Sequence, residues 1–389
     1  MRQYALGNHA WGDRPEPINL GQPTFGEEEL AAVAAVLDSG WVAGQGPVGR
    51  AFEQRFARLC GTTAALALSN CTAALHLGVI GLGAAKGDEV IVADYTFPAT
   101  GHAVRFAGAE PVFADVRPDI WTVDPAAVEA AITPGTVGII AVDAFGQPAD
   151  YRELREIAGR HGLWLLEDAA CAAGATYQGR PAGSLADAAC FSFHGRKGIT
   201  CGEGGALTSD NPELLERARK LHFFGIESAF NRTGSTDLPV PVFDELGWNY
   251  KMSEIAAAVV SAQLEKLPAL VAARRHVAGR YAELLSGADE FALPAELPDR
   301  TTVWQSYVLT LAPQVDRGHM ATELRARGIQ CTIGTYASHL QPVYGSRDEC
   351  PVSADLFRRH LAIPMHANLT DSQVETVAKA VREVVRQAS

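Results

Sequence analysis

From Ala64 to Thr208 the chain repeats one unit: a short apolar run followed by a stretch with helical periodicity. The runs are Ala64 to Leu68, Val90 to Ala93, Pro111 to Ala114, Ile139 to Val142, Leu163 to Leu166, Ala189 to Phe193 and Gly205 to Thr208. Most are apolar throughout, as strands buried on both faces must be, and such strands belong to parallel sheets covered by helices. The segments between them read as helices at about Thr72 to Leu82, Ala99 to Phe106, Pro125 to Ile132, Tyr151 to His161 and Pro212 to Leu221. Asp124-Pro125 is a start signal of known mechanism, an N-cap followed by a proline whose missing N–H is not needed there. The expectation is an α/β domain with a mostly parallel sheet.

The flanks are different. Residues 1–23 show no periodicity and read as an extended arm, and Thr24 with Glu27 reads as a capping box for a helix through Leu37. A second helix is expected from about Val48 to Leu59. Gly225 to Phe243 is polar and interrupted by Gly and Pro, the pattern of a long loop. A helix then carries Ile255, Ala256, Val259, Val260, Leu264 and Leu267 on one stripe, with Pro268 expected to kink or interrupt it before Leu285. Strands near Tyr307 to Leu311 and Ile329 to Ile333, with helices near Gly318 to Arg327 and Asp371 to Arg386, indicate a smaller α+β domain. A chain of 389 residues exceeds what one core usually organises. The expected division is an arm at 1–23, a large domain at 24–265 and a small domain at 266–389.

Composition excludes several function classes. A net charge of -12 without clustered Lys and Arg argues against nucleic acid as a main partner. No apolar run is long enough to span a bilayer, and Met1-Arg2-Gln3 opens no secretory signal, so no membrane partner and a cytoplasmic location are expected. Seven cysteines, an odd number with no Cys-x-x-Cys pair, indicate reduced thiols rather than disulfides or zinc. The eleven histidines show no metal-ligand spacing beside an acid, and no metal is assigned.

Ser192-Phe193-His194-Gly195-Arg196-Lys197 leaves a strand and runs into Gly202-Glu203-Gly204-Gly205. A loop lysine is usually a solvated charge, but one lowered in pKa by burial is a covalent nucleophile. Glu167 and Asp168 end the strand after Leu163, at the sheet edge where parallel α/β folds bind ligands. Asp168 reads either as a helix N-cap or as a buried carboxylate held by a cation. Ser69-Asn70-Cys71-Thr72-Ala73 joins a strand to a helix through small residues, leaving free N–H groups for an anion or an ordinary capped start. Phe97 follows another strand, where a lone aromatic is usually core.

Taken in order, Ser39-Gly40-Trp41, Ser69 to Leu75, Tyr95-Thr96-Phe97, Gly146-Gln147, Glu167-Asp168-Ala169-Ala170, the Lys197 stretch, Asn249 to Glu254 and Leu361 to Pro364 resemble the DegT/DnrJ/EryC1/StrS sugar aminotransferases. That resemblance covers nearly the whole chain. It implies the aspartate aminotransferase fold, fold type I, with a mostly parallel seven-stranded sheet, and pyridoxal 5'-phosphate (PLP/PMP) as cofactor. Lys197 would be the Schiff-base lysine and proton carrier, and Asp168 the partner of the pyridine nitrogen. Phe97 would stack on the ring. Ser192 and the N–H groups of Thr72 and Ala73 would bind the phosphate, completed by Asn249 or Lys251 from a second subunit, which implies a homodimer.

Three departures stand out. Cys171 occupies a position where relatives carry Gln, His or Glu near the phenolic oxygen, and Cys71 replaces a glycine in the phosphate turn. The segment holding Tyr336 and His339 differs from the Tyr-Pro-x-x-x-His type expected to touch the acceptor. The expected reaction moves an amino group from glutamate to a keto sugar, a nucleotide-linked 4-keto-6-deoxy sugar. The rivals are a glutamine-dependent keto-cyclitol aminotransferase and a regulatory protein that holds PLP without turnover. A PMP-dependent dehydratase is disfavoured because Lys197 is retained.

Overall fold

The computed structural model describes residues 17–226, 242–345 and 348–388. The arm up to residue 16 and nearly all of the polar Gly225 to Phe243 loop lie outside the described residues. The seven apolar runs form one sheet: β1 (Ala64–Leu68), β2 (Glu89–Ala93), β3 (Glu110–Ala114), β4 (Thr136–Val142), β5 (Trp164–Asp168), β6 (Ala188–Ser192) and β7 (Gly205–Ser209). Their order is β1-β7-β6-β5-β4-β2-β3. The pairs β2–β3, β2–β4, β4–β5 and β5–β6 are parallel, each reached through a crossover. β7 is antiparallel to β6 and β1, because only a turn separates it from β6 and a turn reverses the chain.

The helices are α1 (Glu27–Ser39), α2 (Pro47–Cys60), α3 (Cys71–Gly81), α4 (Ala99–Phe106), α5 (Pro125–Ala131), α6 (Tyr151–His161), α7 (Pro212–Leu221) and α8 (Glu254–Leu285). Two helices differ from expectation. α1 begins two residues later than Thr24 implies: Gly26 is its N-cap, and the Glu29 carboxylate accepts from Gly26 N. The Thr24 hydroxyl donates instead to Asn368 Oδ1 (2.8 Å). α8 runs through Pro268 without interruption. By length and composition α8 alone among the described residues would cross a membrane. It nevertheless buries Gln263 and Arg274 and packs along α1 and α2.

A second sheet follows, with β8 (Phe291–Ala292), β9 (Tyr307–Leu311), β10 (Thr332–Ile333) and β11 (His360–Ile363) in the antiparallel order β8-β9-β11-β10. With α9 (Arg317–Ala326), α11 (Asp371–Ala388) and the C-terminal part of α8 it encloses its own core around Tyr281, Leu309, Met320 and Val381, while α10 (Pro351–Arg359) places Leu356 in a separate cluster with Tyr95, Val308 and Ala362. The two sheets are tied by a short ribbon in which Tyr336 and Ala337 pair with Thr96 and Tyr95.

Parallel strands β2, β4, β5 and β6 point the same way, so the residues at their C-terminal ends share one edge. Asp94, Asp143, Asp168 and Ser192 are brought together there, although they are far apart in the chain.

Candidate active site

At that edge lies a cavity of about 340 Å³ lined by Cys71, Thr72, Phe97, Thr100, Asp143, Asp168, Cys171, Ser192 and Lys197. Lys197 is presented by a turn whose backbone is closed on itself: Phe193 N donates to Gly204 O (2.8 Å), Gly195 N to Gly202 O (3.0 Å) and Lys197 N to His194 O (2.9 Å). Arg274 Nη2 donates to the carbonyl of Lys197 (3.0 Å) from α8. Lys197 Nζ donates to Cys171 Sγ (3.0 Å). Burial pulls the Lys197 ammonium down, yet the Cys171 sulfur, with Cys71 and Asp168, outweighs it and holds the amine above the usual lysine value. This corrects the expectation that burial lowers it, because the contact with the Cys171 sulfur and the nearby Asp168 carboxyl favour the charged amine.

Asp168 is buried. Its Oδ2 accepts from the Thr100 hydroxyl (2.7 Å) and its Oδ1 from Ala170 N (3.2 Å). Burial pushes its carboxyl above the ordinary value, held back by Thr100, Ala170 and the Lys197 charge. A cationic ring nitrogen beside this carboxyl would add a counter-charge that favours its ionised form. Asp143 stands beside it: burial raises its carboxyl to about 7, opposed by the Tyr151 hydroxyl (2.8 Å) and Ala149 N (3.1 Å), both donating to Oδ1.

Asn70 caps α3, its Oδ1 accepting from Ala73 N (2.8 Å). That corrects the expectation for Ala73, whose N–H is committed to the cap and which does not line the cavity. The Cys71 and Thr72 N–H groups, in the first turn, have no helical acceptor and belong to the residues that do line it. Gly205, the last of the glycine run, is needed for this approach: a Cβ there would lie 2.4 Å from Asn70 C. Ser192, opposite Gly205 in register, adds a hydroxyl. The Cys71 side chain turns into the core, which is how the turn accepts a side chain at this position.

Four residues fall elsewhere. Asn249 and Lys251 do not line the cavity; Lys251 Nζ donates to Asn249 Oδ1 (2.6 Å) and lies 4.3 and 4.5 Å from the ring centres of Phe223 and Phe224. Nor do Tyr336 and His339 line it. The Tyr336 ring meets Phe97 edge-on at 6.1 Å, and His339 Nδ1 pairs with buried Asp94 (2.7 Å). Phe97 is 65% exposed and lines the cavity. Asn70 fills the capped-start reading of its string, whereas Thr100 and Arg274 were not singled out in the sequence. Thr and Arg at such positions carry no motif, and their roles exist only once α4 and α8 reach the sheet edge.

A buried carboxylate, a lysine amine, and a hydroxyl beside free helix-start N–H groups in one cavity fit a cofactor with a basic ring nitrogen, an aldehyde and a phosphate. The comparisons with known proteins agree. The chain is 34% identical over 376 residues to the spore coat polysaccharide biosynthesis protein SpsC of Bacillus subtilis, covering 94% of this chain and 96% of that protein. DesI, solved in the presence of its TDP-sugar product, superposes with a TM-score of 0.87 at 33% identity over 96% of this chain and 94% of that one. Spr1654 of Streptococcus pneumoniae, solved in its PLP-form, gives 0.89 at 26% identity over 96% and 100%. The profile of the DegT/DnrJ/EryC1/StrS aminotransferase family matches residues 23–382. With the seven-stranded sheet, the lysine-bearing turn and the buried carboxylate already in place, the chain belongs to that family and is a PLP-dependent sugar aminotransferase.

Proposed function

We propose that the enzyme moves an amino group from glutamate to a nucleotide-linked 4-keto-6-deoxy sugar, working as a cytoplasmic homodimer. The observation that carries the site assignment is the convergence of Lys197, Asp168 and the α3 start on one cavity. When bound, pyridoxal phosphate supplies an aldehyde for exchange between amines and a ring that takes up electrons from the substrate carbon. Every other function falls to the chain. Asp168, braced by Thr100 and Ala170, holds a proton on the ring nitrogen by charge. Lys197 Nζ would hold the aldehyde carbon and, when free, would carry a proton to and from the reacting carbon. Ser192 and the Cys71 and Thr72 N–H groups would hold the phosphate, and Phe97 would pack against the ring. The turn that holds Lys197 is pinned at its carbonyl by Arg274, so the amine returns to the same place after each half-reaction.

The nucleotide-linked acceptor is supported by the relative solved with a TDP-sugar product. Seven free cysteines suit a reducing compartment. Asn249 and Lys251, which do not line the cavity of their own chain, are proposed to complete the phosphate site of a second copy. Glutamate added to the PLP-loaded enzyme is expected to bleach the cofactor-lysine absorbance and leave pyridoxamine phosphate, and a TDP-4-keto-6-deoxy sugar to reverse the change. Bleaching by glutamine and reversal only by a keto-cyclitol would transfer the assignment to the cyclitol reaction. No change with either donor would leave a cofactor-holding protein without turnover.

A further inference from the structure

Cys171 has no part in the proposed reaction, yet its Sγ is what Lys197 Nζ touches, at 3.0 Å. Both residues line the cavity and both are half-buried, so a small oxidant reaches the sulfur. Five of the seven cysteines are buried; Cys201, the other partly exposed one, donates its thiol to the Glu203 carbonyl (3.3 Å). A sulfenic acid condenses with an adjacent thiol to a disulfide, or with a nitrogen to a sulfenamide. The competing thiol is Cys71, which lines the same cavity but whose sulfur burial keeps protonated and therefore a poor nucleophile. The amine is already in contact. The geometry points to Cys171 and Lys197 as an oxidation-triggered S–N bridge that closes the active site reversibly.

The chemistry balances with a peroxide as oxidant. The peroxide O–O bond breaks, one oxygen bonds to Cys171 Sγ, and the two electrons lost by sulfur reduce the other oxygen to water. The lone pair of neutral Lys197 Nζ then attacks Sγ; the S–N bond forms, the S–O bond breaks, and the hydroxide leaves with an amine proton as a second water. Oxidation of the sulfur also removes the largest influence that holds the proton on Nζ, so burial then favours the neutral amine the attack needs. A thiol reductant attacks Sγ and restores both side chains. The bridge itself is independent of the proposed function; its consequence, a lysine unable to take the cofactor aldehyde, rests on it.

The test is hydrogen peroxide titration of the holoenzyme in its pyridoxamine form, where Lys197 is free, and in its pyridoxal form, where it is occupied. In the pyridoxamine form the intact mass is expected to fall by about 2 Da, with a Cys171–Lys197 cross-linked peptide that dithiothreitol releases. The Cys171→Ser protein should show no such loss. Formation in the pyridoxamine form alone supports the bridge and Lys197 as the cofactor amine together. Equal formation in both forms supports the bridge and removes Lys197 from that role. Recovery of Cys171 as sulfinic acid, or in a disulfide with Cys71, with the Lys197 peptide unmodified, overturns the bridge.

Discussion

Behind Asp168 lie two further carboxyl groups, Asp143 and Glu167, both fully buried. Glu167 accepts from Gly183 N (2.9 Å) and Leu185 N (3.2 Å), and burial with the charge of Asp143 drives it well above the ordinary range. Asp143, raised to about 7, favours its protonated form in the fold. Its contribution to stability is therefore full below the unfolded value of about 4 and is lost as pH rises through about 7. Asp143→Asn keeps the acceptor for Ala149 N and Tyr151 Oη and removes that loss. Its melting temperature is expected to rise relative to the parent protein between pH 4 and pH 8 (bounds of roughly the titration window). Parallel melting curves across that window would show that Asp143 does not titrate there. Of the site residues, Lys197, Asp168 and Ser192 were legible because each ends a strand or opens a turn in a distinctive string. Thr100 and Asp143 were not: a hydroxyl on α4 and an acid after β4 acquire meaning only from the register that sets β2, β4 and β5 side by side.

Among the elements, α2 shows how one helix end depends on another. Its N-cap is Gly46, which has no side chain to offer. Glu254, the first residue of α8, takes that place: its carboxylate accepts from Gly46 N (3.1 Å), Val48 N (2.8 Å) and Gly49 N (3.0 Å). A carboxylate at a helix start also meets the positive end of the helix dipole. Glu254→Gln retains the shape, loses the charge and turns a donor toward these N–H groups. It is expected to destabilise the fold by about 1.5–3 kcal/mol, read as a lower urea midpoint. An unchanged midpoint would mean that solvent caps α2 as well as Glu254 does. The same dependence explains why boundaries were harder to read than elements. α8 continues through Pro268 because Leu267 and Leu270 are buried, and packing on that scale outweighs one lost helical hydrogen bond. α10 and β11 were not anticipated, since short segments without a long periodic pattern carry little local signal.

On the scale of the molecule, the proposed homodimer makes a prediction no single chain can. If Lys197 serves the cavity of its own chain and Asn249 that of the partner, a Lys197→Ala chain and an Asn249→Ala chain are each inactive alone. A mixed dimer of the two has one doubly altered site and one intact site. Random mixing then restores roughly a quarter of the sites, measured as turnover or as cofactor-lysine absorbance after co-refolding. Absence of any recovery, with hybrid dimers shown to form, would place Asn249 and Lys197 in the same site, and an Asn249→Ala chain active on its own would place Asn249 outside it.

The chain's own order of residues determined the class of fold, because strands buried on both faces must be apolar throughout and the crossover helices between them must be periodic. It also carried the resemblance that implies the cofactor, because the lysine turn, the strand-end acid and the small-residue helix start follow one another in the family's order. Only the tertiary structure decided what those groups face. Arg274 on the Lys197 carbonyl, Thr100 on Asp168, Cys171 on the Lys197 amine and Glu254 on α2 all join residues separated by at least 26 positions in the chain. Contacts at that separation are set by how helices and sheet close on one another, and no local pattern encodes them.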